Sequence, residues 1–98
     1  MEDQDINLLS EEEQIEIMTI NPRKIEIINN PSIKVQLIAV NYDGYFIQAI
    51  KNPSYEVQLT AIQEKTNIYK KHFEFIKQYI TYPDLLELLE LKILTCEE

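Results

Sequence analysis

An eleven-residue block returns after 22 residues, and that spacing limits the chain more than any other feature. Residues 30–40 open Asn30-Pro31-Ser32 and continue through Val35, Gln36, Leu37, Ala39 and Val40. Residues 52–62 open Asn52-Pro53-Ser54 and continue through Val57, Gln58, Leu59, Ala61 and Ile62. Shifted back by one period, Ser10, Gln14, Ile15 and Met18 fall on the same register, with Ile25 on Ile47 and Ile28 on Ile50. A fixed period of this length is the mark of a stacked repeat, because one such unit cannot bury its own apolar face. The expected organisation is a single domain, 1–98, with a degenerate repeat at 8–29 and a repeat at 30–51. An extended repeat at 52–81 and a final capping or dimerisation helix at 82–95 complete it.

One copy alone is ambiguous. Val35, Leu37 and Ala39 alternate like a strand, and Tyr42-Asp43-Gly44-Tyr45 resembles a hairpin turn. The next copy replaces the Asp-Gly turn by Gln63-Glu64-Lys65-Thr66, so the turn is not part of the unit. Beyond it, Tyr69, Phe73, Ile76 and Ile80 recur at helical spacing, as do Leu85, Leu88, Leu89 and Ile93. The prediction is an all-α chain, a short α-solenoid of stacked helix pairs. It has about seven short helices, near 10–19, 22–29, 31–41, 44–50, 53–65, 67–81 and 83–95. Asn30 and Asn52 suit N-caps with proline at the first helical position. Ser10 and Glu13 form a capping-box pattern, and Gly44 suits the break between paired helices.

The Asn-Pro-Ser-x-x-Val-Gln-Leu-x-Ala block, followed by Gly44-Tyr45, Ile47 and Ile50, resembles short tandem helical repeats of phage and low-GC bacterial proteins. These are akin to HEAT-like and leucine-rich-variant solenoids. Residues 30–62 carry the resemblance well, 8–29 and 82–95 only loosely. It implies an interaction scaffold, with a motif that specifies packing rather than chemistry. The segment 63–80 departs from the period.

Composition narrows the function. The chain is rich in isoleucine and holds one glycine, one cysteine and one histidine. A bias toward Ile, Asn, Lys, Tyr and Phe over Gly, Ala, Arg and Pro reflects AT-rich codons, as in a low-GC bacterium or its phage. One glycine excludes a Walker loop and a dinucleotide fingerprint. Cys96 and His72 together cannot make a Cys/His zinc site, and His72 has no nucleophile motif beside it. His72 reads as a structural histidine. The expectation is therefore a non-enzyme with no cofactor, no metal and no catalytic residues. No apolar run approaches the ~18 residues of a membrane span, and the acidic N-terminus lacks the form of a secretory signal. The expected location is the bacterial cytoplasm, with a possible phage origin for the gene.

The net charge of −8 is uneven. Residues 1–20 hold seven acids and no base, whereas residues 21–80 hold five acids and eight bases. Nucleic acid is a poor direct partner for such a chain, since phosphate affinity comes from Lys and Arg. An acidic segment instead steers toward basic protein surfaces, although helix capping and solubility also account for acids at a helix start. Glu11, Glu12 and Glu16 are the candidate contacts, with Tyr42, Tyr45 and Tyr55 as aromatic anchors near the repeat turns. Phe46 is expected in the core, and Lys70, Lys71 and Lys77 on a solvated face. Gln14, Gln36 and Gln58 share one register and are expected to bond backbone at the inter-repeat turns, a recognition row being the weaker reading.

The functional expectation is an inhibitor that occludes a basic surface of a host nucleic-acid-handling enzyme, such as a CRISPR nuclease. The alternative is a self-associating assembly module. The last helix supports a homodimer reading through Leu85, Leu88, Leu89 and Ile93, because its apolar arc is wider than one neighbour covers.

Overall fold

The computed structural model describes residues 5–65 and 69–96, and every described element is helical. Five α-helices appear: α1 (Glu11–Ile20), α2 (Ile33–Tyr42), α3 (Tyr55–Gln63), α4 (Lys70–Ile76) and α5 (Pro83–Thr95). The first residues of α1, α2 and α3 lie 22 positions apart, so the sequence period is the structural period. Between them run the 3-10 segments Pro22–Ile27 and Gly44–Ala49, where full α-helices were expected. Asn21 and Asp43 leave the helical region before these segments and Ile28 and Ile50 are extended after them, so each is a six-residue connector of the kind that 3-10 winding serves. A short 3-10 turn, Ile6–Leu8, precedes α1, and another, Lys77–Tyr79, finishes α4.

Serine starts each repeat helix. Ser10, Ser32 and Ser54 are all N-caps, each hydroxyl accepting the amide N–H three residues on. Asn30 and Asn52, expected as caps, instead sit before the proline with φ of 50° and 47°. Asparagine tolerates this left-handed conformation better than most residues, and there it turns the chain into the next repeat. The serine two places later is the one whose oxygen reaches the first-turn amides.

Gly44 stands at the break between α2 and the following 3-10 segment, as expected, but not as a left-handed helix cap. It has no positive φ and ends no helix. It begins the 3-10 segment behind Asp43, whose carboxylate accepts the Tyr45 N–H at 3.0 Å. Glycine is required by closeness: a Cβ there would stand 2.5 Å from the Ala61 carbonyl oxygen. The Gly44 N–H donates to Glu64 Oε1 at 2.8 Å, fastening one repeat to the next.

Helix α2 packs between α1 and α3, and the two 3-10 segments pack against each other and against α2. Helix α4 takes the next place against Gly44–Ala49, and α5 closes on α4 and α3. The molecule measures 49 × 23 × 16 Å. Val35 and Ala39 of α2, and Val57 and Ala61 of α3, are wholly buried at equivalent positions. Ile47 and Ile76 fill the second layer, and Phe46 is in the core as expected.

Candidate protein-interaction surfaces

The acidic helix lies at one end of the stack. Glu11, Glu12 and Glu16 are exposed on α1, and none meets a basic side chain among the described residues. Glu2 and Asp3, which extend the acidic run, lie outside the described residues. Ser10 and Glu13 close the capping box, at 3.2 Å from the Glu13 N–H to Ser10 Oγ and 3.0 Å from the Ser10 N–H to Glu13 Oε1. Glu13 also occupies the repeat position of Val35 and Val57. Those valines are sealed by a preceding helix, whereas among the described residues Glu13 follows a 3-10 turn and stays exposed.

The three tyrosines belong to different packing arrangements. Tyr42 ends α2 and is 61% exposed. Tyr45 stacks on Phe75 of α4, with ring centroids 4.7 Å apart. Tyr55 donates its hydroxyl proton to Asp84 Oδ2 at 2.6 Å and meets Tyr82 edge-on. The hydrogen bond to Asp84 holds the Tyr55 phenol above its ordinary pKa, with desolvation and the Asp84 charge adding to it. Tyr45 and Tyr55 thus join elements of the protein, although part of each ring still faces solvent.

The glutamines act on backbone, as expected. Gln14 Nε2 donates to the Ile6 carbonyl, Gln36 to Pro31 and Gln58 to Pro53. Gln58 alone completes a second exchange, accepting the Thr81 N–H at 2.8 Å and donating to Thr81 Oγ1 at 2.9 Å. The corresponding oxygen of Gln36 is buried without a partner.

On α5, Leu85 and Leu89 are buried in the molecule's own core, and Leu88 and Ile93 are partly buried against it. The exposed apolar residues of this helix are Leu91 and Leu94, which belong to its wide apolar arc but not to the four expected dimer contacts. Their places on the side away from Leu85 and Leu89 would have marked them once α5 was known to bury that stripe. Lys77 pairs with Glu90 at 3.1 Å on the surface, where such a pair contributes little. His72 is half-buried, with Nε2 enclosed and unpartnered. Desolvation pulls its pKa below the ordinary value, against the opposing charges of Glu64 and Asp43. Among the described residues no cluster of three His, Cys, Asp or Glu side chains could hold a metal ion. None of their helices is long and apolar enough to cross a membrane.

Among the surface clefts of the described residues, two lie at equivalent helix ends. The first, about 620 Å³, lies between the C-terminal turns of α1 and α2 and is walled by Met18, Pro22, Ile38 and Tyr42. The second, about 490 Å³, lies at the corresponding turns of α2 and α3, with Thr60, Gln63, Lys65 and Lys92 on it. Asn41 lines both. No protein-family model matches the chain, and no curated protein or solved structure is significantly similar to it.

Proposed function

We propose that this chain is a non-enzymatic protein-binding module, a short α-solenoid whose acidic first helix docks on a basic surface of a partner protein. The observation that carries this reading is the exposed trio Glu11, Glu12 and Glu16, which no basic side chain neutralises among the described residues. Their charge is free to act on a partner, raising its rate of association. The repeat and the AT-rich residue usage favour a phage-type inhibitor acting in a bacterial cell. A nucleic-acid-handling host enzyme, such as a CRISPR nuclease, offers the required basic channel.

The test is affinity capture from a bacterial host lysate, followed by kinetics with the purified partner. Glu11→Lys with Glu12→Lys should slow association at least tenfold, and added salt should weaken the wild-type complex in parallel. The capping box survives in this variant, so folding should be unchanged. A partner bound equally well by both proteins at all salt concentrations would overturn the reading.

Self-association is the second reading, favoured by Leu91 and Leu94, which stand 59% and 79% exposed on the terminal helix. Light scattering should then give a dimer mass that Leu94→Glu returns to monomer.

A further inference from the structure

The two clefts are one site repeated. Ile38 and Asn41 of the first occupy the repeat positions of Thr60 and Gln63 in the second. Tyr42 and Asp43 likewise correspond to Glu64 and Lys65. The backbone has therefore built the same concavity twice, one helix apart, while the side chains have changed its chemistry. The first is walled mainly by carbon, through Ile38 and Tyr42 over the buried Met18 and Pro22, with Thr19, Asn41 and Asp43 on its polar side. The second carries two cations, Lys65 and Lys92, and its acid is turned inward: Glu64 is 6% exposed, with Oε1 held by the Gly44 N–H.

We propose that these clefts form a bipartite docking groove for a polyproline-II-like peptide segment of a partner protein. An apolar residue enters the first cleft, and an Asp or Glu three positions away meets the second. Charge complementarity sets the acidic end against Lys65 and Lys92, and the carbon walls set the apolar end. The usual separation of packed helices points to the conformation. Packed helices stand about 8–10 Å apart. In a polyproline-II helix, residues three apart point the same way and are separated by about 9.3 Å. Extended strand residues on one face recur at about 6.7 Å, too short for one helix spacing. Asn41, on the wall common to both clefts, is placed to bond the intervening peptide backbone, which polyproline II leaves unpaired. This groove rests on the reading of the chain as a binding module, and it names a second surface besides the acidic helix.

The test is selection of random dodecapeptides displayed on phage against the immobilised full chain. Selected peptides should share an apolar residue and an acid at a spacing of three. Lys65→Glu should weaken them at least tenfold, and reselection on that variant should move the second position toward Lys or Arg. Tyr42→Ala, also exposed, should weaken binding severalfold without changing the acidic preference. Circular dichroism of both variants should match the wild type. Several outcomes would overturn the groove: no enrichment, a spacing of seven that marks a helical ligand, or binding indifferent to Lys65→Glu. Peptides lost only on reversal of Glu11 and Glu12 would remove the groove and leave the acidic-helix reading standing. Selection that succeeds while that reversal leaves partner association untouched would do the opposite.

Discussion

The repeats at 30–51 and 52–81 begin alike and finish differently. Both start with a left-handed asparagine, a proline and a capping serine, and both bury a valine and an alanine against the previous helix. After that the middle repeat turns back through six residues of 3-10 helix, whereas the extended one uses α4 and a 3-10 turn. The return path still delivers its apolar side chains to the same layer: Ile47 and Ile50 in one, Ile76 and Ile80 in the other. The first half of a repeat makes the seam with its neighbour, so its residues are constrained one by one. The second half only has to return with isoleucines in place, so its length can vary.

The largest effect should come from deleting those isoleucines. Ile47→Ala and Ile76→Ala remove equivalent, fully buried side chains, and each should cost about 2–5 kcal/mol. Urea unfolding measures both. If Ile76→Ala proved nearly neutral beside a costly Ile47→Ala, the two return paths would not serve the same layer.

These packing positions were legible because a period is visible wherever side chains must interlock. Ser10, Ser32 and Ser54 share that period too, yet the proline beside Asn30 and Asn52 drew the cap assignment two residues early. A proline at the first helical position and a proline just before the cap read alike in sequence, and only φ separates them. The return segments read as α-helices because isoleucine spacing does not distinguish six residues of 3-10 from two α turns. The site was less legible. Glu11, Glu12 and Glu16 are exposed as a charge run predicts. Leu85 and Leu89, however, are consumed by the core, since the width of an apolar arc does not say which edge the neighbour takes. The clefts left no mark at all, because they arise where stacked helix ends meet.

Gly44→Ala sharpens the comparison at the seam. The added methyl would press on the Ala61 carbonyl, a backbone atom that cannot rotate away, and on Glu64 Oε1 at 3.2 Å. Overpacking of this kind costs typically 1–3 kcal/mol. A fully stable Gly44→Ala protein would show that α3 can slide relative to the middle repeat.

The glutamines should separate next. Gln58→Leu strands the Thr81 N–H and should cost about 1–3 kcal/mol. Gln36→Leu gives up one bond to Pro31 but also removes a buried acceptor that nothing satisfies, so its net effect should stay within about 1 kcal/mol. Equal losses at the two positions would mean that the middle glutamine is as fully engaged as its counterpart.

The smallest effect belongs to His72, at the start of the longer return path. Burial favours its neutral form, so its pKa in the folded protein lies below the 6.5 of the free side chain. The unfolded chain therefore takes up the proton first as pH falls. Stability from this group is complete above about pH 6.5 and declines below it, until the folded protein is protonated as well. Glu64 and Asp43 soften the decline by favouring the imidazolium, and the partial exposure of His72 softens it further. The middle repeat has no histidine, so this sensitivity belongs to the extended one alone. Urea midpoints between pH 5 and 8 should drift downward on the acid side for the wild type, and less for His72→Gln. Because other carboxylates titrate in both proteins, the difference between the two curves is the measurement. A difference that grew toward alkaline pH would carry the wrong sign, and it would mean that Glu64 and Asp43 outweigh burial around the imidazole.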